Sequence, residues 1–129
     1  KMSGYSGYLN NIYMTGVIEQ FEHFPYRMEI ENSLDGFLAW GEVCTLTCKI
    51  MKAWEEKTDR VKSWKVERTS GDSASDKAWL LKDKVKNFSG SIDISHGQQE
   101  DDLGESLSTL FTFTAELDDG KEVSAVVEI

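Results

Sequence analysis

The stretch GEVCTLTCKI, Gly41 to Ile50, decides how the chain is read. Side chains alternate faces along a strand, so Cys44, Leu46, Cys48 and Ile50 share one side while Thr45, Thr47 and Lys49 share the other. That is the pattern of a strand with an apolar face turned inward. Two cysteines four residues apart on one strand lie about 13 Å apart at roughly 3.3 Å per residue, beyond the ~7 Å that a disulfide spans. They cannot bond to each other while the strand exists, and the chain has no third cysteine. The only histidines, His23 and His96, are remote in sequence, so a zinc site is not expected either. Two buried thiols acting as small apolar side chains is the reading that follows.

Working outward, more short strands appear. In YRMEIEN, after the single proline Pro25, Tyr26, Met28 and Ile30 alternate with Arg27, Glu29 and Glu31. Asp35-Gly36 marks a turn. DRVKSWKVER, Asp59 to Arg68, alternates again, with Trp64 and Val66 on one face. RTSGDSASDKAW, Arg68 to Trp79, reads as a Ser/Asp/Gly loop ending in a short apolar piece. NFSGSIDIS reads as a turn and a strand burying Ile92 and Ile94, and STLFTFTAEL with KEVSAVVEI makes a hairpin around Asp118-Asp119-Gly120. No long helical periodicity is present; KIMKAWEEKTDR, the best candidate, is read as a strand end plus loop. About seven short strands predict an all-β antiparallel β-sandwich over residues 26–129. Residues 1–25, rich in Gly, Tyr and Asn, read as a linker or the end of a preceding module, and the whole as an excised piece of a longer chain.

Charge narrows the function classes. The net charge is −9, and residues 91–129 hold ten acidic side chains against Lys121 alone. Such a surface repels phosphate, so no nucleic-acid partner is expected. No apolar run is long enough for a membrane span and no signal peptide is visible, so membrane insertion is not expected. The acidic run GQQEDDLGE, Gly97 to Glu105, offers oxygen ligands for calcium but lacks EF-hand spacing and reads as a solvated loop; no metal or cofactor is predicted.

No catalytic residues stand out. Carboxylate pairs such as Asp72 and Asp76 are of the type that flanks a glycosidic bond, but their Ser/Gly-rich setting reads as a loop of solvated acids. Trp54, Trp79, Asp72 and Asp76 are candidate ligand contacts, because exposed rings beside polar groups suit a sugar. Trp40 and Trp79 read better as lids on the ends of the core, leaving Trp54 as the ring expected to touch a ligand. Asn87-Phe88-Ser89 is formally a glycosylation sequon, which supports a cell-surface receptor domain only weakly.

The order of features resembles the immunoglobulin layout. An L-x-C strand ending at Cys48 is followed 16 residues later by Trp64, and a late strand carries Phe113-Thr114-Ala115 ahead of a terminal hairpin. The resemblance implies that Cys48, Trp64, Phe113 and Ala115 lie in the core, with Cys48 at the bridging position of strand B. Ala115 stands where the partner cysteine would fall and Phe113 where the tyrosine corner would be, so the expected domain is an immunoglobulin-like sandwich lacking the inter-sheet disulfide. That omission forgoes about 2 to 4 kcal/mol of stabilisation.

The combination of GEVCTLTCKI, the Asp59 to Arg68 strand, SGD at Ser70 to Asp72, D-x-AW at Asp76 to Trp79 and FTFTAELDDGK also resembles immunoglobulin-like modules of phage and prophage tail or fibre proteins. It implies a non-enzymatic, structural or adhesive module at the virion or bacterial surface. Its implied partners are other modules of the parent chain, virion proteins and bacterial surface glycans. A carbohydrate-binding module of a bacterial surface or secreted protein is the alternative.

Overall fold

The computed structural model describes residues 23–104 and 108–129; the linker expected over residues 1–25 lies almost wholly outside them. Among the described residues, seven strands run in the order β1 (Tyr26–Asn32), β2 (Glu42–Lys52), β3 (Glu55–Glu56), β4 (Val61–Thr69), β5 (Ser91–His96), β6 (Leu110–Leu117) and β7 (Glu122–Glu128). They form two antiparallel sheets. In one, the long β2 pairs with β1 on one side and with β5 and the two-residue β3 on the other; in the second, β6 lies between β4 and β7.

Alternation in the sequence sets which face is buried. Along β2, Cys44, Leu46, Cys48 and Ile50 are buried while Thr45, Thr47 and Lys49 are only partly covered. Register then places Ile94 opposite Cys44, Ile92 opposite Leu46 and Ile30 opposite Cys48. On the other sheet, Phe111, Phe113, Ala115 and Leu117 of β6 are buried on one face, with Trp64 opposite Ala115 and Val66 opposite Phe113. One apolar cluster joins Cys44, Leu46, Cys48, Ile92 and Ile94 to Val66, Phe111 and Phe113; a second joins Ile50 to Ala115, Leu117 and Val123. The two sheets therefore pack face to face in a sandwich-like arrangement, as burial of one face of each requires.

Trp64 is half-buried and packs against both clusters. Its ring meets Phe88 edge-on, with centroids 5.8 Å apart, and lies against the backbone of Gly90. Gly90 has φ +112°, and a Cβ there would stand 3.3 Å from Trp64 Cζ2, while its carbonyl accepts from the Cys48 amide at 2.7 Å. Glycine is needed there because the backbone is left-handed and lies against an indole.

The connection from β4 to β5 departs from the loop read in the sequence. It holds a helix, α1 (Ser73–Trp79), and a single turn, α2 (Asp83–Lys86). Asp72 caps α1, its carboxylate accepting from the Ser75 amide at 3.1 Å, so the residues that looked like loop formers act as a helix start. Helical periodicity was too short to register, because α1 has only seven residues.

Candidate functional site

Two surroundings of the expected site residues differ sharply. The first is a polar bracket behind α1. Arg68, on the inward face of β4, donates from Nε to Asp76 Oδ1 at 2.8 Å and from Nη1 to the carbonyl of Asp102 at 3.0 Å. Its guanidinium also lies 5.9 Å from the Trp79 ring centre. Asp76 accepts in addition from the Ser70 amide and hydroxyl, at 3.0 and 2.7 Å. Burial pushes the Asp76 carboxyl upward, but the Ser70 and Arg68 donors outweigh it and hold the group below its ordinary value.

Asp102 is the centre of this bracket, with a side chain fully removed from solvent. Its Oδ1 accepts from the Trp79 indole at 2.8 Å and from Lys82 at 3.1 Å; its Oδ2 accepts from Lys84 at 2.5 Å and from the Ser95 amide at 2.7 Å. Desolvation would raise its carboxyl, yet Lys84, the Ser95 amide and the Trp79 N–H together keep it below the usual range. The solvated loop expected over Gly97 to Glu105 is thus overturned at Asp102 and Leu103, both buried. A run of acids carries no mark in sequence of the one member that the fold surrounds with donors.

Trp79, named as a ligand contact and as a lid, is 2% exposed, packed on Phe111 with ring centroids 5.5 Å apart. It offers no ring face to a ligand. Asp72 and Asp76 are both committed to backbone and side-chain donors of this bracket. Among the core residues, Cys48, Phe113 and Ala115 are buried. Cys44 and Cys48 are free thiols, and burial pushes the Cys48 thiol up to about 12. Neither is a nucleophile at neutral pH, since reactivity needs the thiolate.

The second surrounding is open. Trp54, in the turn between β2 and β3, is 58% exposed and meets Phe24 edge-on with centroids 6.2 Å apart. Its turn is held by Ala53, at φ +53°, whose carbonyl accepts from Arg27 Nη1 at 2.8 Å. Trp40, expected as a lid, is instead 65% exposed at the opposite end of β2. It sits in a tight turn in which the Glu42 amide donates to the Ala39 carbonyl at 3.0 Å, with Gly41 at φ +88° in the third position. The Glu42 carboxylate accepts from the Ala39 amide at 2.8 Å, and the Trp40 ring stands edge-on to His96 with centroids 5.1 Å apart. His96 in turn shares a 3.0 Å hydrogen bond with Asp101. The W-G pair of Trp40-Gly41 was the available signal: a tryptophan at a turn tip points away from a core.

Among the described residues, no group of three or more His, Cys, Asp and Glu side chains is placed to hold a metal ion, and no helix is long and apolar enough to cross a membrane. Comparison of the chain with protein-family models, curated proteins and solved structures finds no match.

Proposed function

We propose that this chain is a non-catalytic, immunoglobulin-like module, structural or adhesive in role, of a larger phage or prophage tail or virion surface protein. The observation that carries the non-catalytic part is the state of Asp72 and Asp76, the carboxylates singled out in the sequence as a pair that could flank a glycosidic bond. Asp76 is tied to Arg68 and Ser70 and held below its ordinary value, and Asp72 caps a helix. A glycosidase acid needs the reverse, a carboxyl raised toward neutrality and open to substrate. The immunoglobulin-like part is supported by strand order. If β1, β2, β4, β5, β6 and β7 are equated with A, B, C, E, F and G, the pairings β1–β2–β5 and β4–β6–β7 follow the constant-type arrangement, with α1 and α2 in place of strand D. The virion setting, with other modules of the parent chain and virion proteins as partners, rests on the motif resemblance at Asp59 to Trp79 and Phe111 to Lys121.

A carbohydrate-binding role is the second reading, favoured by the exposed rings of Trp40 and Trp54. Two measurements test the first. The isolated chain is expected to turn over no glycosidase or esterase substrate; turnover abolished by Asp72→Asn or Asp76→Asn overturns the non-catalytic role. Antibodies to the domain are expected to decorate phage-like particles released from the source cells in electron micrographs. Label confined to cell envelopes moves the domain to a bacterial surface protein.

A further inference from the structure

The connection between β1 and β2 turns aromatic side chains outward on a fixed frame. Leu38 is buried in the main core and anchors the segment, so its neighbours Phe37 and Trp40 stand out at 83% and 65% exposure. Single exposed apolar residues on a protein surface call for no explanation. This ring differs because it is held. The turn from Ala39 to Glu42 is closed by hydrogen bonds at both its backbone and the Glu42 carboxylate, the Gly41 amide donates to the His96 carbonyl at 2.5 Å, and the His96 ring stands perpendicular to the indole with centroids 5.1 Å apart. A side chain already immobilised loses little entropy when something binds to it.

Next to this turn, reached through Gly41 and His96, lies a shallow depression whose lining includes Glu42, Gln98, Gln99 and Glu100. The exposed amides of Gln98 and Gln99 each present donors and an acceptor, and Gly97 brings backbone close to the surface. An aromatic face carries negative potential and attracts weakly positive C–H groups. A pyranose ring has such C–H groups on its faces and hydroxyls around its rim, which are the complements of an exposed indole and of the side-chain amides on the loop that follows His96.

We propose that the Trp40 turn and the Gly97 to Gln99 loop together form a binding site for an uncharged oligosaccharide. The ligand is uncharged because the chain carries a net charge of −9 and the neighbouring lysines, Lys82 and Lys84, are engaged by Asp102 and Glu100. Sulfated or uronate-rich chains would meet repulsion from Glu42 and Glu100, which line the same depression. The site gives the adhesive half of the proposed function a ligand class and rests on that reading; it shifts the expected contact from Trp54 at one end of β2 to Trp40 at the other.

The test is a nitrogen-proton NMR titration of the full chain with cellohexaose, mannohexaose and chitohexaose at millimolar concentration, the range of weak single-site sugar binding. At least one probe is expected to produce saturable shifts at the Trp40 indole and the Gln98 and Gln99 amides. Trp40→Ala should weaken that binding about tenfold or more, as loss of a central aromatic contact does. Trp40→Phe should retain part of it, and Trp54→Ala should leave it unchanged. Unaltered thermal unfolding of each variant separates binding from folding. No saturable shift with any of the three sugars overturns the site, as does binding that survives Trp40→Ala or disappears only with Trp54→Ala. Hydrolysis of a bound probe, lost with Trp40→Ala, would uphold the site while overturning the non-catalytic role, so the two failures are distinguishable.

Discussion

Trp79, in the helical connection between β4 and β5, and Trp40, in the turn before β2, both stand outside the strands and both have acidic neighbours. Yet Trp79 is enclosed and Trp40 stands in solvent. The difference lies in what meets each ring. Trp79 finds an acceptor for its N–H in Asp102 and apolar or cationic surface in Phe111 and Arg68. A buried indole must have such an acceptor, because an unpaired N–H away from water costs about 1 to 3 kcal/mol. Trp40 meets His96 in a perpendicular ring contact at a turn tip, and most of its surface remains in solvent. The first region uses polar atoms to close the edge of the sandwich; the second uses them to hold a surface in shape.

The largest expected effect falls on the closed region. Asp102→Ala removes the acceptor shared by Trp79, Lys82, Lys84 and the Ser95 amide. It should cost about 3 kcal/mol in chemical denaturation, the lower part of the range for breaking a buried ion pair, because the two lysines keep some access to water. A loss below about 1 kcal/mol would show that the bracket is not a stabilising unit.

Acid should act on the same region. Asp76 and Asp102 have folded-state values below the ordinary 3.8, so they bind protons less readily folded than unfolded. Their contribution is therefore present above the ordinary carboxylate range and lost as pH falls through the depressed folded values, from about pH 4 downward. Denaturation midpoints measured across that range are expected to drop for the natural chain. The Asp102→Ala variant should show a shallower fall, and parallel curves for the two would break the comparison.

A smaller effect is expected at the start of α1. Asp72→Ala removes the cap on the Ser75 amide and should cost about 1 kcal/mol, whereas Asp72→Asn should recover most of it. Equal losses for both would point to the charge of Asp72 rather than its acceptor. The smallest belongs to the open region: Trp40→Ala should change stability by less than about 0.5 kcal/mol, the usual range for surface positions. A larger loss would mean that Trp40 belongs to the core after all.

The β2 strand was legible because its information is local. Four apolar side chains at every second position, Cys44 to Ile50, can be buried together only on one face of a strand, whatever the strand pairs with. The same holds for Phe111, Phe113 and Ala115, and for the Asp-Gly turn before β7, where Gly120 takes φ +89°. The helix after Asp72 was less legible, since Ser and Asp serve equally as loop formers and as helix caps, and a seven-residue helix is too short to show a period. Least legible was the distinction among like residues. Nothing local separates Asp102 from Asp101, and only the glycine after Trp40 separates it from Trp79, because burial of a polar group depends on donors and acceptors brought from distant segments: Ser95 from β5, Lys84 from α2 and Arg68 from β4. Alternation along the chain therefore determined the strands and their inward faces by itself. Which carboxylate was buried and which indole was left in water was decided only when the folded chain supplied, or failed to supply, a partner for each polar atom.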